Sequence, residues 1–74
     1  MRIDRLVAMA NDIGAFFEAD ADRPQAAQHV ATHLKRFWNP RMRRQIVAHY
    51  SSRGGEGLHD VARSGVALLA EEQP

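Results

Sequence analysis

The segment Lys35–Arg44, with Asn39-Pro40 in its middle, constrains the fold of this chain more than any other segment. The residue before a proline avoids the α region, so a helix that reaches Asn39 has to end there. Asn39 is a favourable N-cap and Pro40 fits the first position of a helix, so a second helix can begin at once. The sequence therefore predicts an abrupt corner between two helices.

The apolar residues recur with helical spacing along the chain, and no segment shows the alternation of a strand. We predict an all-α fold, a small bundle of three main helices plus a weaker C-terminal helix, in a single domain that spans residues 1–74. The helices are expected at about 3–18, 24–38, 40–50 and 58–70. Residues 71–74 are expected to fray.

Length and composition exclude several classes of protein. A chain of 74 residues forms one small domain with a marginal core, and the absence of cysteine excludes disulfides and thiolate metal sites. No run approaches the roughly 20 apolar residues of a membrane span, and the N-terminus has no apolar signal segment. We expect a cytoplasmic protein that is not an enzyme on its own, since no catalytic arrangement of residues is recognisable.

The apolar residues of the first helix cover about half of its circumference, which is wider than the stripe of roughly 100° that one core contact needs. Two interpretations remain open. The helix faces both its own core and another chain, or a small domain is wrapped around it. Met9 and Phe16 lie on this wide apolar arc, and we take them as candidate interface residues.

Positive charge is concentrated in the middle of the chain. The range Arg23–Arg53 contains seven basic residues and no acidic one. Arg41, Arg43 and Arg44 fall in the first turn of the third helix, where the helix dipole favours acids by roughly 0.3–1 kcal/mol per charge. This conflict suggests that something outside the helix needs the cations, which fits nucleic acid, an acidic protein surface or the acidic flanks of the same chain.

Three residues near the corner each allow two interpretations. Arg43 falls on the apolar face of its helix, so its guanidinium either extends to water or pairs with a carboxylate or phosphate. Phe37 and Trp38 either fill the corner of the core or anchor a partner, because tryptophan is enriched where binding energy concentrates. Together with Pro40, these residues complete the set of candidate interface residues: Met9, Phe16, Phe37, Trp38, Pro40, Arg41, Arg43 and Arg44.

Other patterns are weaker. His29 and His33 share a helix face, as two metal ligands would, but no acidic residue or cysteine accompanies them. Helices 2 and 3 could be taken for a helix-turn-helix, although helix 3 has a single such side chain, Gln45, and lacks the fuller set of Asn, Gln and Ser residues that read base edges. A basic nucleic-acid-binding module and a free helical homodimer are therefore kept as alternatives.

Two blocks of sequence resemble the delta subunit of bacterial NAD-dependent formate dehydrogenase. The first is Ile3–Phe17, which contains Met9-Ala10-Asn11. The second is Val30–Arg43, which contains Phe37-Trp38 and Pro40-Arg41-Met42-Arg43 and is followed by Gly54–Leu58. Residues 59–74 match only loosely.

The resemblance implies a non-catalytic accessory subunit of a complex that oxidises formate and reduces NAD. It implies that bis-molybdopterin guanine dinucleotide with molybdenum, iron–sulfur clusters and FMN are held by the larger subunits and that this chain binds no cofactor or metal. The implied partners are the catalytic alpha subunit, which this chain would stabilise or help to mature, and the beta and gamma subunits of the same complex. No membrane partner is implied.

Overall fold

The computed structural model describes residues 1–72 and contains four helices in this range. They are α1 (Ile3–Phe17), α2 (Arg23–Phe37), α3 (Pro40–Arg53) and α4 (Asp60–Glu72). The predicted all-α class is confirmed, since the described residues contain no strand. No helix among them is long and apolar enough to cross a membrane.

Local capping explains where α2 and α3 begin. The Asp22 carboxylate accepts a hydrogen bond from the backbone N–H of Gln25, and the Asn39 side chain accepts one from the N–H of Met42. Each contact satisfies a backbone donor that has no partner inside its helix. The predicted corner at Asn39-Pro40 is present.

The end of α3 differs from the expected one. The helix continues to Arg53 instead of ending near residue 50, because the first residue that stops it is Gly54. Gly54 has a φ of 66°, in the left-handed region, and its N–H bonds to the carbonyl of Tyr50. Glycine adopts this conformation without the Cβ penalty of other residues and commonly closes helices in this way.

Helix α4 is not the weak element that the sequence suggested. It begins at Asp60 rather than residue 58 and runs through Glu72, so residues 71 and 72 are helical; residues 73–74 lie outside the described part of the chain. Its contact with α2 is the most extensive between any two helices, and it also packs against α1 and α3. Leu58 precedes the helix but is buried.

The core lies between α2 and α4 and is covered by α1 and α3. Its largest side chains are fully buried: Leu6, Val30, Leu34, Ile46, Leu58, Val66 and Leu69. Burying a side chain of this size contributes about 1.5–3 kcal/mol. The chain therefore has a real but small core, as expected for its length.

Small residues allow α2 and α4 to approach closely. A Cβ atom added to Gly65 would lie 2.5 Å from the Cβ of Val30 and 3.2 Å from the carbonyl oxygen of Ala27. Real Cβ contacts are not this short, so the two helix backbones would have to separate. Gly65 is thus required by packing.

One side chain ties α1 to the loop before α4. The Asn11 amide nitrogen donates to the carbonyl of Gly57 at 3.0 Å, and its amide oxygen accepts from the N–H of His59 at 2.8 Å. Both halves of the amide are used, so Asn11 sets where the chain enters α4 relative to α1.

We expect Gly65→Ala to lower the free energy of unfolding by about 1–3 kcal/mol, because overpacking α2 against α4 outweighs the better helix propensity of alanine. Urea unfolding followed by circular dichroism measures the change. Ser64→Ala, at an exposed neighbouring position, is the control and should be neutral or slightly stabilising. Equal stability of the two variants would contradict the close approach at Gly65.

Candidate protein–protein interface

Aromatic and imidazole rings lie in two neighbouring groups at the surface of α1 and α2. The Phe16 and Phe17 rings pack edge to face at 5.1 Å, and Phe17 stacks on His29 at 5.1 Å. One turn further along α2, His33 lies 4.6 Å from the Phe37 ring. We call these five residues the aromatic stripe.

The two ends of the aromatic stripe are strongly exposed. Phe16 is 79% exposed and Phe37 is 67% exposed, while Phe17 and His33 are half-buried. Met9 belongs to the same flank of α1 as Phe16 and is also half-buried. Water contact at two phenylalanine rings is unfavourable, and contiguous exposed apolar surface of this kind marks interaction sites.

Part of the apolar surface of helix α1 therefore lies outside the core. It buries Leu6, Ala10 and Gly14 against the other helices, but Phe16 lies outside the core. This arrangement explains why the apolar arc in the sequence is wider than one core contact requires. Of the two interpretations of that arc, it favours the one in which α1 has a second surface.

The corner at Asn39-Pro40 separates the two neighbouring aromatic residues. Trp38 is only 5% exposed and belongs to the core, whereas Phe37, the residue before it, points to solvent. This burial favours the interpretation in which Trp38 fills the corner of the core, because a buried indole has almost no surface to offer a partner. Phe37 alone remains available for contact.

Arg43 has a third role that the sequence interpretation did not include. Its guanidinium donates hydrogen bonds to the backbone carbonyls of Lys35, at 3.2 Å, and of Trp38. These carbonyls lie at the C-terminal end of α2, where helical carbonyls lack partners and the dipole is negative. Arg43 is neither simply solvated nor paired with a carboxylate. It caps α2 from the first turn of α3.

The other cations of the corner have no such partner. Arg41 and Arg44 are exposed, and no carboxylate of residues 1–72 forms an ion pair with either of them. The Arg36 guanidinium lies over the Phe37 ring at 5.7 Å from its centroid. With exposed Pro40, these residues form a cationic corner at the Phe37 end of the aromatic stripe. By contrast, Lys35 is neutralised by Glu72 at 2.9 Å.

The sequence interpretation selected eight candidate interface residues, and all of them except the buried Trp38 lie at the surface or are half-buried. It missed the contribution of His29, His33 and Arg36 to this surface. The regular spacing of His29, His33 and Phe37, four residues apart, was a signal that could have found the stripe, because such residues stack on one helix face.

The described residues do not fit a metal or iron–sulfur site. The chain has no cysteine to supply a thiolate, and residues 1–72 bring no three His, Asp or Glu side chains together. The His29 imidazole instead stacks on the Phe17 ring, and its Nε2 atom lies 3.4 Å from Nε2 of Gln25.

We expect Arg43→Ala to lower the free energy of unfolding by about 1–2 kcal/mol, because it leaves carbonyls at the end of α2 without a donor. Arg44→Ala is the matched control in the same helical turn and should change stability by less than about 0.5 kcal/mol. Thermal unfolding by circular dichroism compares them. A loss for Arg44→Ala as large as that for Arg43→Ala would contradict the capping role.

The comparison with known families gives one match. The model of the family described as NADH-dependent formate dehydrogenase delta subunit FdsD matches residues 5–66, which include the aromatic stripe and the cationic corner. No curated protein and no solved structure matches the chain significantly. Because the family model covers most of the sequence, the chain belongs to the FdsD family, the delta subunits of NADH-dependent formate dehydrogenase.

Proposed function

We propose that this chain is a non-catalytic accessory subunit that binds the molybdenum-containing alpha subunit of the formate dehydrogenase and stabilises it or helps it to mature. The observation that supports this most directly is the exposed aromatic stripe beside arginines that form no ion pair within residues 1–72, on a chain whose family consists of subunits of an enzyme complex. The stripe supplies apolar contact area, and the arginines supply charge.

The apolar part of the proposed interface consists of Met9, Phe16 and Phe37. In the isolated chain, the two phenylalanine rings contact water over most of their surface. Burying them against a partner would contribute about 1.5–3 kcal/mol for each ring, before the cost of association. Aromatic residues with this exposure are the usual anchors of an interface.

The charged part is the cationic corner, in which Arg36, Arg41 and Arg44 accompany exposed Pro40. Arginine is favoured at interfaces because its planar guanidinium pairs with carboxylates through two parallel hydrogen bonds. Arg43 and Trp38 contribute indirectly, by holding the corner that presents these side chains. Substitutions of Arg43 or Trp38 would disturb the fold and are unsuitable as tests of the interface.

The redox chemistry is proposed to take place in the other subunits. The alpha subunit would hold the bis-molybdopterin guanine dinucleotide molybdenum centre. The iron–sulfur clusters, FMN and the NAD site would also belong to the larger chains. The beta and gamma subunits would be part of the same cytoplasmic complex. This chain offers no thiolate ligand for such a cluster. Its proposed effect on formate oxidation is therefore indirect.

The double variant Phe16→Asp/Phe37→Asp tests the interface. We expect at least a tenfold loss of co-purification with tagged alpha subunit, because each change puts a charge where apolar contact is proposed. Quantitative mass spectrometry of the purified complex measures the ratio of the chains. Ala48→Asp, on the exposed face of α3, is the control and should leave the ratio unchanged. Stoichiometric binding of the double variant would refute the interface.

A preparation of the complex from cells that lack this chain tests the accessory role. We expect fewer alpha subunits to contain molybdenum, but an unchanged rate of formate oxidation per molybdenum atom, because no reacting group is removed. Metal analysis and an assay of NADH formation give the two values. A rate per molybdenum atom that falls severalfold, at full metal content, would show a catalytic contribution instead.

A further inference from the structure

We infer that the aromatic stripe and the cationic corner together bind an amphipathic helix of the partner subunit, with apolar anchors along one face and acidic residues at the end that meets Arg36, Arg41 and Arg44. This inference rests on the proposed function and adds the chemistry of the bound segment to it.

The dimensions of the aromatic stripe fit one helix. His29 and Phe37 are eight residues apart on α2, which corresponds to about 12 Å at a rise of 1.5 Å per residue. Phe16 and Phe17 extend the stripe across to α1 at the His29 end. A helix that lies along the stripe places residues i, i+3 or i+4, and i+7 on it, and those are the anchors of helix-in-groove recognition.

The architecture excludes binding by strand addition. An extended peptide that adds to a sheet needs a free strand edge, and the described residues contain no strand. What α1 and α2 do present is a ridge of side chains with helical spacing. Side chains of a third helix can interdigitate with such a ridge.

The arginines of the cationic corner determine which residues the bound helix needs at one of its ends. Arg36, Arg41 and Arg44 make no ion pair within residues 1–72, and the range 23–53 that contains them has no acidic residue. Arg36 lies over the Phe37 ring, and Arg41 and Arg44 follow in the first turn of α3, which begins three residues after Phe37. The complementary segment therefore needs Asp or Glu at that end, paired with guanidinium groups.

The test is site-specific photo-crosslinking in the intact formate dehydrogenase complex. Phe16 and Phe37 are replaced, one at a time, by p-benzoylphenylalanine, and the crosslinked peptides are identified by mass spectrometry. The expected result is that both positions crosslink to a single segment of the alpha subunit, at residues that share one helical face, with Asp or Glu beside the Phe37 crosslink. The same probe at exposed Ala48 is the control and should give no crosslink to that segment.

Three crosslinking patterns would overturn the inference. They are crosslinks to a second copy of this chain, crosslinks to two distant segments, and crosslinks to every second residue of an extended segment. If the complex contains this chain but neither phenylalanine position crosslinks to another subunit, the helix-binding inference fails and the proposed accessory function stands. If the chain does not co-purify with the complex at all, the proposed function itself fails.

Charge reversal provides an independent measurement. The double variant Arg36→Glu/Arg41→Glu should reduce co-purification at least tenfold, and changing the acidic residues of the crosslinked segment to arginine should restore it. Arg53→Glu, which reverses an exposed charge at the end of α3, should have no effect. Failure of the compensating change to restore binding would overturn the assigned charge pairing.

Discussion

The corner between α2 and α3 is the constraint on which the proposed interface depends. At this point the chain changes direction within two residues, between Phe37 at the end of α2 and Pro40 at the start of α3. The change of direction places the Trp38 ring in the core and leaves the Phe37 ring in solvent. Arg43 holds the corner by donating to carbonyls at the end of α2. The corner therefore contributes both to the stability of the bundle and to the exposure of its proposed binding surface.

This arrangement changes the physical meaning of the arginine cluster. A cation in the first turn of a helix is unfavourable by itself, but Arg43 lies close to the negative end of the preceding helix, which offsets that cost. Arg41 and Arg44 have no comparable compensation among the described residues. The same sequence motif therefore contains one arginine that stabilises the fold and two that are available to a partner.

Different surfaces of the bundle form the core and the proposed interface. Close packing of α2 against α4 at Gly65 and Val30 forms the centre of the core, and Asn11 fixes the entry into α4 relative to α1. Another flank of α2 contacts the end of α1 in the aromatic stripe. A chain of this length has a small core, so leaving phenylalanine rings exposed is energetically unfavourable. Binding to a partner would bury these rings.

The sequence by itself determined the features that depend on neighbouring residues: the all-α class, the Asn39 cap, and the break before Pro40. These follow from backbone geometry and from hydrogen bonds over three or four residues. Only the tertiary structure decided that Trp38 is buried and Phe37 exposed, that Arg43 caps α2, and that α4 is central to the core. The reason is that these outcomes depend on how the helices pack together, and contacts between segments distant in sequence leave no periodic pattern along the chain.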